Sequence, residues 1–224
     1  MSHSAPQSRI GEASTNPRPP AVTFVTTEHF VLQGARSSTI AESTARANMF
    51  LAAVSGGLVA LGLVATASSV GTAFYAFGLT LLPTLAFVGL VTFERVLQSG
   101  IDDLGYARRI ALLRGYYFDN APELAPYLVS VSPEERRRAQ GFAGHRWQKY
   151  RTVAGMVAVI TAVLAGSTAA LVAILAADHS LAAALISGAL VALSALVALM
   201  RFQESAWKRG DAAPLIADED EGPS

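Results

Sequence analysis

Residues 153–177 read VAGMVAVITAVLAGSTAALVAILAA, an apolar run that contains no charged side chain. A helix rises about 1.5 Å per residue, so about 20 such residues cross a hydrocarbon layer about 30 Å thick. Three further runs have the same character, at residues 49–70, 72–93 and 181–200. The sequence therefore predicts an all-α integral membrane protein with four transmembrane helices.

The composition and the short outer connections refine this prediction. Hydrophobic residues make up 52% of the chain and charged residues only 15%, which excludes a soluble multidomain enzyme. The first external connection turns at residues 69–71, and the second turns at residues 177–180. Connections this short require antiparallel neighbours, so we expect two transmembrane hairpins, at residues 49–93 and 153–200.

The basic residues predict the orientation of the chain in the membrane. All 17 Lys and Arg residues lie in residues 1–48, 94–152 and 201–224, on one side of the four spans. Cytoplasmic segments of membrane proteins carry this excess of Lys and Arg. We therefore expect a multi-pass protein of the cell membrane with both termini and residues 94–152 in the cytoplasm.

The polar segments divide into four parts by composition. Residues 1–26 are rich in Pro and Ser and are expected to be disordered, whereas residues 27–48 predict a cytoplasmic helix that leads into span one. Residues 94–152 predict a cytoplasmic helical loop, interrupted near Pro122 and Pro126. Residues 201–224 predict a juxtamembrane segment and an acidic disordered tail.

Small residues recur every four positions along three of the spans, and this spacing lets helix backbones approach closely in lipid. The residues expected to pack helices together are Ala158, Ala162, Gly166 and Ala170 in span three, Ala184 and Gly188 in span four, and Ala52 and Gly56 in span one. The packing could lie within one chain or between copies, and we expect a homo-oligomer. Span two instead carries several Phe residues and Pro83, so it is predicted to face lipid, with a structural kink or a gating hinge at Pro83.

Two charged surfaces are candidates for binding. Six basic residues near span three are possible contacts for anionic lipid, although topology alone also favours them: Arg136, Arg137, Arg138, Arg146, Lys149 and Arg151. Acidic residues share this loop, so no nucleic-acid partner is expected. Glu28, Arg36, Glu42 and Arg46 form a mixed polar strip, which is either a solvated helix face or a docking surface for the cytoplasmic loop or a protein partner.

The sequence predicts no catalytic, cofactor-binding or metal-binding residue. Cysteine is absent, and the four His residues are scattered over separate segments. Asp102 and Asp103 are adjacent, but neighbouring residues on a helix point in different directions and do not converge on one site. We therefore expect a protein that is not an enzyme and that uses no cofactor.

The segment VLQGARSSTIAESTAR, residues 31–46, runs into the Ala- and Gly-rich first span. This opening resembles uncharacterised multi-span membrane proteins of actinobacteria, and the resemblance covers about the first third of the chain. It implies no activity and no site residues. The use of 15 Arg against two Lys is typical of a GC-rich bacterial genome.

These features favour a non-enzymatic membrane scaffold or interaction protein that self-associates and whose cytoplasmic helices bind a partner or one another. The alternative is an oligomeric pore or permeability effector, with hydroxyl-lined faces and a gate operated by the cytoplasmic loop. The bilayer is the partner common to both hypotheses.

Overall fold

The computed structural model describes residues 19–120, 152–177 and 180–212. Within these ranges the chain forms four helices and no strand: α1 Pro19–Ala67, α2 Thr72–Asn120, α3 Val153–Ala176 and α4 Leu181–Ala212. Each helix is long and apolar enough to cross a membrane. The prediction of an all-α chain with four such helices is confirmed, and it indicates a multi-pass membrane protein.

The helices α1 and α2 are both longer than a bilayer requires. Each has 49 residues, against about 20 for a span. In α1 the polar residues before Met49 and the apolar residues after it form one continuous helix, and α2 continues in the same way past Phe93 to Asn120. Each of these helices therefore has an apolar half and a polar half.

The start of α1 corrects one prediction, because residues 19–26, which were expected to be disordered, are helical. Pro19 and Pro20 occupy the first turn of α1. Backbone N–H groups in a first turn have no acceptor within the helix, so proline, which lacks this group, costs no helical hydrogen bond there. The hydroxyls of Thr26 and Thr27 then donate to the carbonyl oxygens of Val22 and Thr23, at 2.9 Å in both cases. Residues 1–18, also predicted to be disordered, lie outside the described residues.

The connection between α1 and α2 is a tight turn. The helix stops at Ala67, three residues before the predicted end of span one, and the backbone N–H of Val70 donates to the carbonyl of Ala65 at 3.1 Å. Ser69 and Val70 have φ values of 47° and 57°. This left-handed region is unfavourable for a β-branched side chain such as that of Val70, so the turn is strained.

The helices pack in sequence order, α1 on α2, α2 on α3 and α3 on α4. The largest fully buried side chains include Phe50 of α1, Phe93 of α2 and Val157 of α3. The prediction that span two faces lipid is therefore wrong, because α2 lies between α1 and α3 and buries Phe93. Of the other aromatic residues in this span, Phe74, Tyr75 and Phe77 are half-buried and Phe87 is 66% exposed.

The polar end of α4 packs against the polar half of α2. A Cβ atom at Gly100 would lie 3.3 Å from Cζ2 of Trp207, so the indole ring rests directly on the α2 backbone. Nearby, Nη1 of Arg108 donates to the carbonyl oxygen of Gly210 at 3.1 Å. Trp207 is thus a contact between two helices.

Candidate functional site

Gly166 and Gly188 form a close contact between α3 and α4. A Cβ atom at Gly166 would lie 2.5 Å from the carbonyl oxygen of Gly188 and 2.7 Å from Cβ of Ala192. A Cβ atom at Gly188 would lie 3.0 Å from Cβ of Ala170. These residues lie where the two backbones touch, so a larger side chain at either glycine would separate the helices.

Three other predicted packing residues of spans three and four are also buried within the chain. Ala158, Ala162 and Ala184 are each exposed by 2% or less. A Cβ atom at Gly89 of α2 would collide with Oγ1 of Thr161 in α3, so a second close approach joins these helices. The structure thus places the small residues of α3 on two sides, towards α2 and towards α4.

The small residues of span one have a different location. Ala52 and Gly56 are exposed, and no other atom lies within 4 Å of the position of a Cβ at Gly56. Ala52 belongs to a longer exposed row whose members are spaced alternately four and three residues apart, and we call this row the outer face of α1; Gly56 is exposed beside this row. Its members are Gly34, Ser38, Ala41, Ala45, Asn48, Ala52, Ser55, Val59 and Gly62.

The outer face of α1 contains no charged residue, although it runs through both halves of the helix. An alternating spacing of four and three averages 3.5 residues, which is the period of helices that wrap around each other. Large apolar side chains flank the row and are exposed, Phe30 by 70%, Val31 by 58% and Met49 by 73%. The sequence prediction missed the continuity of this row because the polar and apolar halves were treated as separate elements.

The hydroxyl groups in the apolar parts of the helices bond to their own backbones. Thr161, for example, donates to the carbonyl oxygen of Val157 at 2.8 Å, and Thr84 donates to that of Thr80 at 2.7 Å. The same arrangement holds at Thr66, Thr80, Thr92, Thr168, Ser187 and Ser194. Each of these hydroxyl hydrogens is therefore already used, as is common in membrane helices.

An ion pair joins the polar halves of α1 and α2. Nε of Arg36 lies 2.7 Å from Oδ1 of Asp103, and Nη2 lies 3.4 Å from Oδ2. The two side chains are only 27% and 26% exposed. Asp102, the neighbour of Asp103, points elsewhere, which agrees with the prediction that these two carboxylates do not form one site.

A polar cleft of about 330 Å³ lies between α1 and α2, closer to the apolar halves than this ion pair. Six side chains line it: Glu42, Arg46, Arg95, Gln98, Ser99 and Asp102. Arg46 donates to Oε1 of Glu42 through Nη2 at 2.6 Å and through Nε at 3.0 Å. Two residues of the predicted polar strip therefore line the cleft, and Arg36 holds the helices together beyond it.

The cleft also contains an acid and a base without a partner in the described part of the chain. Arg36 pairs with Asp103 and Arg46 pairs with Glu42, and neither Arg95 nor Asp102 takes part in these ion pairs. Arg95 and Asp102 line the same cleft on α2, seven residues apart and therefore on one helix face. An unpaired guanidinium and an unpaired carboxylate in one cleft can bind a ligand that carries both signs of charge.

The predicted anionic-lipid contacts all lie outside the described residues: Arg136, Arg137, Arg138, Arg146, Lys149 and Arg151. Among residues 19–120, 152–177 and 180–212, no three His, Asp or Glu side chains are grouped so that they could hold a metal ion. Comparison of the chain with protein-family models, with curated proteins and with solved structures finds no match. The resemblance based on residues 31–46 therefore stays a prediction.

Proposed function

We propose that this chain is a non-enzymatic scaffold of the cell membrane that self-associates along the outer face of α1. In this proposal the four helices form two transmembrane hairpins, and both termini and residues 94–152 are cytoplasmic. The observation that carries the proposal is the uninterrupted, uncharged outer face of α1, exposed from Gly34 to Gly62 through the polar and apolar halves of one helix.

A second copy of α1 is the partner that fits this face in both environments. In lipid, small residues let two backbones approach closely, and Ala52, Ser55 and Gly62 supply them. In water, covering the exposed apolar side chains of Phe30 and Val31 lowers the free energy and so favours pairing. A symmetric pair presents the same row from both copies, so small residues meet small residues along the whole length.

Asn48 supports a defined register for such a pair. It lies in the row at the boundary between the polar and apolar halves of α1, and it is exposed in the single chain. A lone Asn in the seam of paired helices bonds to its counterpart and fixes the alignment of the two helices. Pairing at Asn48 would align the apolar halves of both copies at the same depth in the bilayer.

The polar halves of α1 and α2 and the polar end of α4 form the platform that we assign to a cytoplasmic protein partner. The Arg36–Asp103 ion pair and the bond from Arg108 to Gly210 fasten the three helices to each other. At about 1.5 Å per residue, the 27 residues from Glu94 to Asn120 would extend about 40 Å from the membrane. A platform of this length would hold a partner at a fixed distance from the lipid.

The pore alternative has weaker support. It depends on hydroxyl groups that face a water-filled path, but the hydroxyls described above donate to carbonyls of their own helices. The exposed apolar residues Leu58, Leu63 and Leu190 also give these helices apolar outer surfaces. Ion conduction by purified protein in liposomes would favour the pore alternative over the scaffold.

Single-cysteine crosslinking tests the scaffold proposal directly, because the natural chain contains no cysteine. Ala41→Cys, Ala45→Cys and Ala52→Cys place thiols on the outer face of α1, in its polar and apolar halves. We expect each variant to form a covalent dimer in native membranes on mild oxidation. The crosslinking yield should rise and fall with a period of 3.5 residues along α1.

Two exposed positions away from the row serve as controls. Ile40 and Ala53 are exposed on α1 and lie next to row residues in sequence, but their side chains point about 90° to 130° away from it. Ile40→Cys and Ala53→Cys should crosslink poorly. Equal yields at row and control positions, or no dimer at any row position, would contradict self-association along this face.

A further inference from the structure

We propose that the polar cleft between α1 and α2 binds the headgroup of a phospholipid that carries a phosphate and a primary ammonium, as phosphatidylethanolamine does. The cleft is lined by Glu42, Arg46, Arg95, Gln98, Ser99 and Asp102. This inference rests on the proposed placement of α1 and α2 in the bilayer, but it does not require the protein to self-associate.

The depth of the cleft matches the headgroup layer. Arg46 lies three residues before Met49, where the apolar half of α1 begins, and Arg95 lies two residues after Phe93, where that of α2 ends. At about 1.5 Å per residue, both arginines lie within about 5 Å of the apolar boundary. A lipid of the adjoining leaflet can therefore place its phosphate at their level without leaving the bilayer.

The order of charges along α2 matches the order of charges in the headgroup. Arg95 is closer to the apolar half of α2 than Asp102, so the cation faces the bilayer and the acid faces the water, as the phosphate and the ammonium of the lipid require. On α1 the guanidinium of Arg46 pairs with Glu42 at 2.6 Å, so these two charges meet at one level.

The cleft offers the chemistry that each half of the ligand needs. A guanidinium presents several N–H donors in a planar fork that suits phosphate oxygens, and Arg95 has no ion-pair partner in the described residues. A primary ammonium has three N–H donors, which the carboxylates of Asp102 and Glu42 can accept. The volume of about 330 Å³ accommodates such a headgroup.

The lining also discriminates between lipids. Phosphatidylcholine has the phosphate, but its quaternary ammonium has no N–H donor for the carboxylates, and the cleft has no aromatic lining that would suit a quaternary ammonium. Phosphatidylglycerol lacks the ammonium and carries a net negative charge, so Glu42 and Asp102 would repel it. The cleft should therefore prefer phosphatidylethanolamine to both.

Native mass spectrometry of the detergent-solubilised full chain can test this preference. The protein is titrated with phosphatidylethanolamine, phosphatidylcholine and phosphatidylglycerol that carry identical acyl chains. We expect phosphatidylethanolamine to bind about tenfold more tightly than the other two, and Arg95→Gln and Asp102→Asn each to remove about tenfold of that affinity. Asp102→Asn should also improve the binding of phosphatidylglycerol, because it removes a repulsive charge.

Two variants outside the cleft provide matched controls. Arg201→Gln removes an exposed arginine at the end of the apolar part of α4, and Glu94→Gln removes an exposed acid next to Arg95 in sequence. Both should bind phosphatidylethanolamine as the natural chain does, and thermal unfolding would verify that all variants fold. Equal binding of the three lipids, a preference for phosphatidylglycerol, or the same loss in the controls as in the cleft variants would overturn the proposal.

Discussion

Gly166→Ala tests the reasoning about helix packing most simply, because it adds one methyl group where two backbones touch. The new Cβ atom would lie 2.5 Å from the carbonyl oxygen of Gly188 and 2.7 Å from Cβ of Ala192. Ordinary contacts of a Cβ atom lie at 3.4–4 Å, so α3 and α4 must move apart by roughly 1 Å.

This separation sets the size of the effect. A gap of about 1 Å removes up to about half of the dispersion energy of the neighbouring contacts, and overpacking of this kind costs about 1–3 kcal/mol. Alanine is a better helix former than glycine, so the substitution also stabilises α3 by about 0.5–1 kcal/mol. We therefore expect Gly166→Ala to lower the free energy of unfolding by about 1–2 kcal/mol.

The measurement is the unfolding of purified protein in mild detergent, followed by circular dichroism during titration with SDS. Gly105→Ala is the matched control, because Gly105 lies in α2, away from the outer face of α1, and no other atom lies within 4 Å of a Cβ there. It should leave the stability unchanged or raise it by about 0.5–1 kcal/mol. If Gly166→Ala were as stable as Gly105→Ala, the close contact of α3 with α4 would be refuted.

Three further tests follow from the geometry, each made with the same unfolding assay. Val70→Gly should raise the free energy of unfolding by about 0.5–1 kcal/mol, because Val70 has a φ of 57° that glycine adopts without strain; a loss of stability would contradict the strained turn. Gly89→Ala should lower it by about 1–3 kcal/mol, because the new methyl group meets Thr161 and Phe50; an unchanged stability would show that α2 and α3 are further apart. A double-mutant cycle of Arg36→Ala and Asp103→Ala should give a coupling energy of about 1 kcal/mol, because the pair is only about one quarter exposed. This coupling energy should be smaller at high salt. A coupling energy of zero would mean that this pair does not join α1 to α2.

The apolar runs alone predicted much of the fold. Four runs of sufficient length contain no charge, and in a bilayer only a helix satisfies the backbone of such a run. The helix start near Val153 also follows from local sequence, since Thr152 caps α3 by accepting from the N–H of Gly155. These features depend on neighbours in the chain.

Contacts between distant helices could not be predicted in the same way. The aromatic residues of span two suggested a lipid-facing helix, but Phe93 is 1% exposed because α2 packs between two neighbours. The small residues of span one and of span three have similar spacing, yet Gly56 is exposed and Gly166 is buried. Periodicity identifies a face of a helix but does not state which partner covers it.

The cleft illustrates the same limit for the candidate site. Glu42 and Arg46 were recognised as part of a polar strip on α1, whereas Arg95 and Asp102 are about fifty residues away in sequence. The register of α1 against α2, set by contacts such as Arg36 with Asp103, brings the four side chains to one place. The register between the two helices cannot be predicted from the local sequence of either helix.

We propose that four helices cross the membrane with their charged ends on the cytoplasmic side, and labelling of single cysteines tests this topology directly. Single cysteines at Thr72 and Ser180 lie at the outer ends of α2 and α4, and single cysteines at Thr44 and Leu112 lie on exposed positions of the polar halves. In intact cells a membrane-impermeant maleimide should label Thr72→Cys and Ser180→Cys, and it should label Thr44→Cys and Leu112→Cys only after the membrane is permeabilised. Labelling of Thr44→Cys or Leu112→Cys in intact cells, with Thr72→Cys and Ser180→Cys protected, would contradict the account.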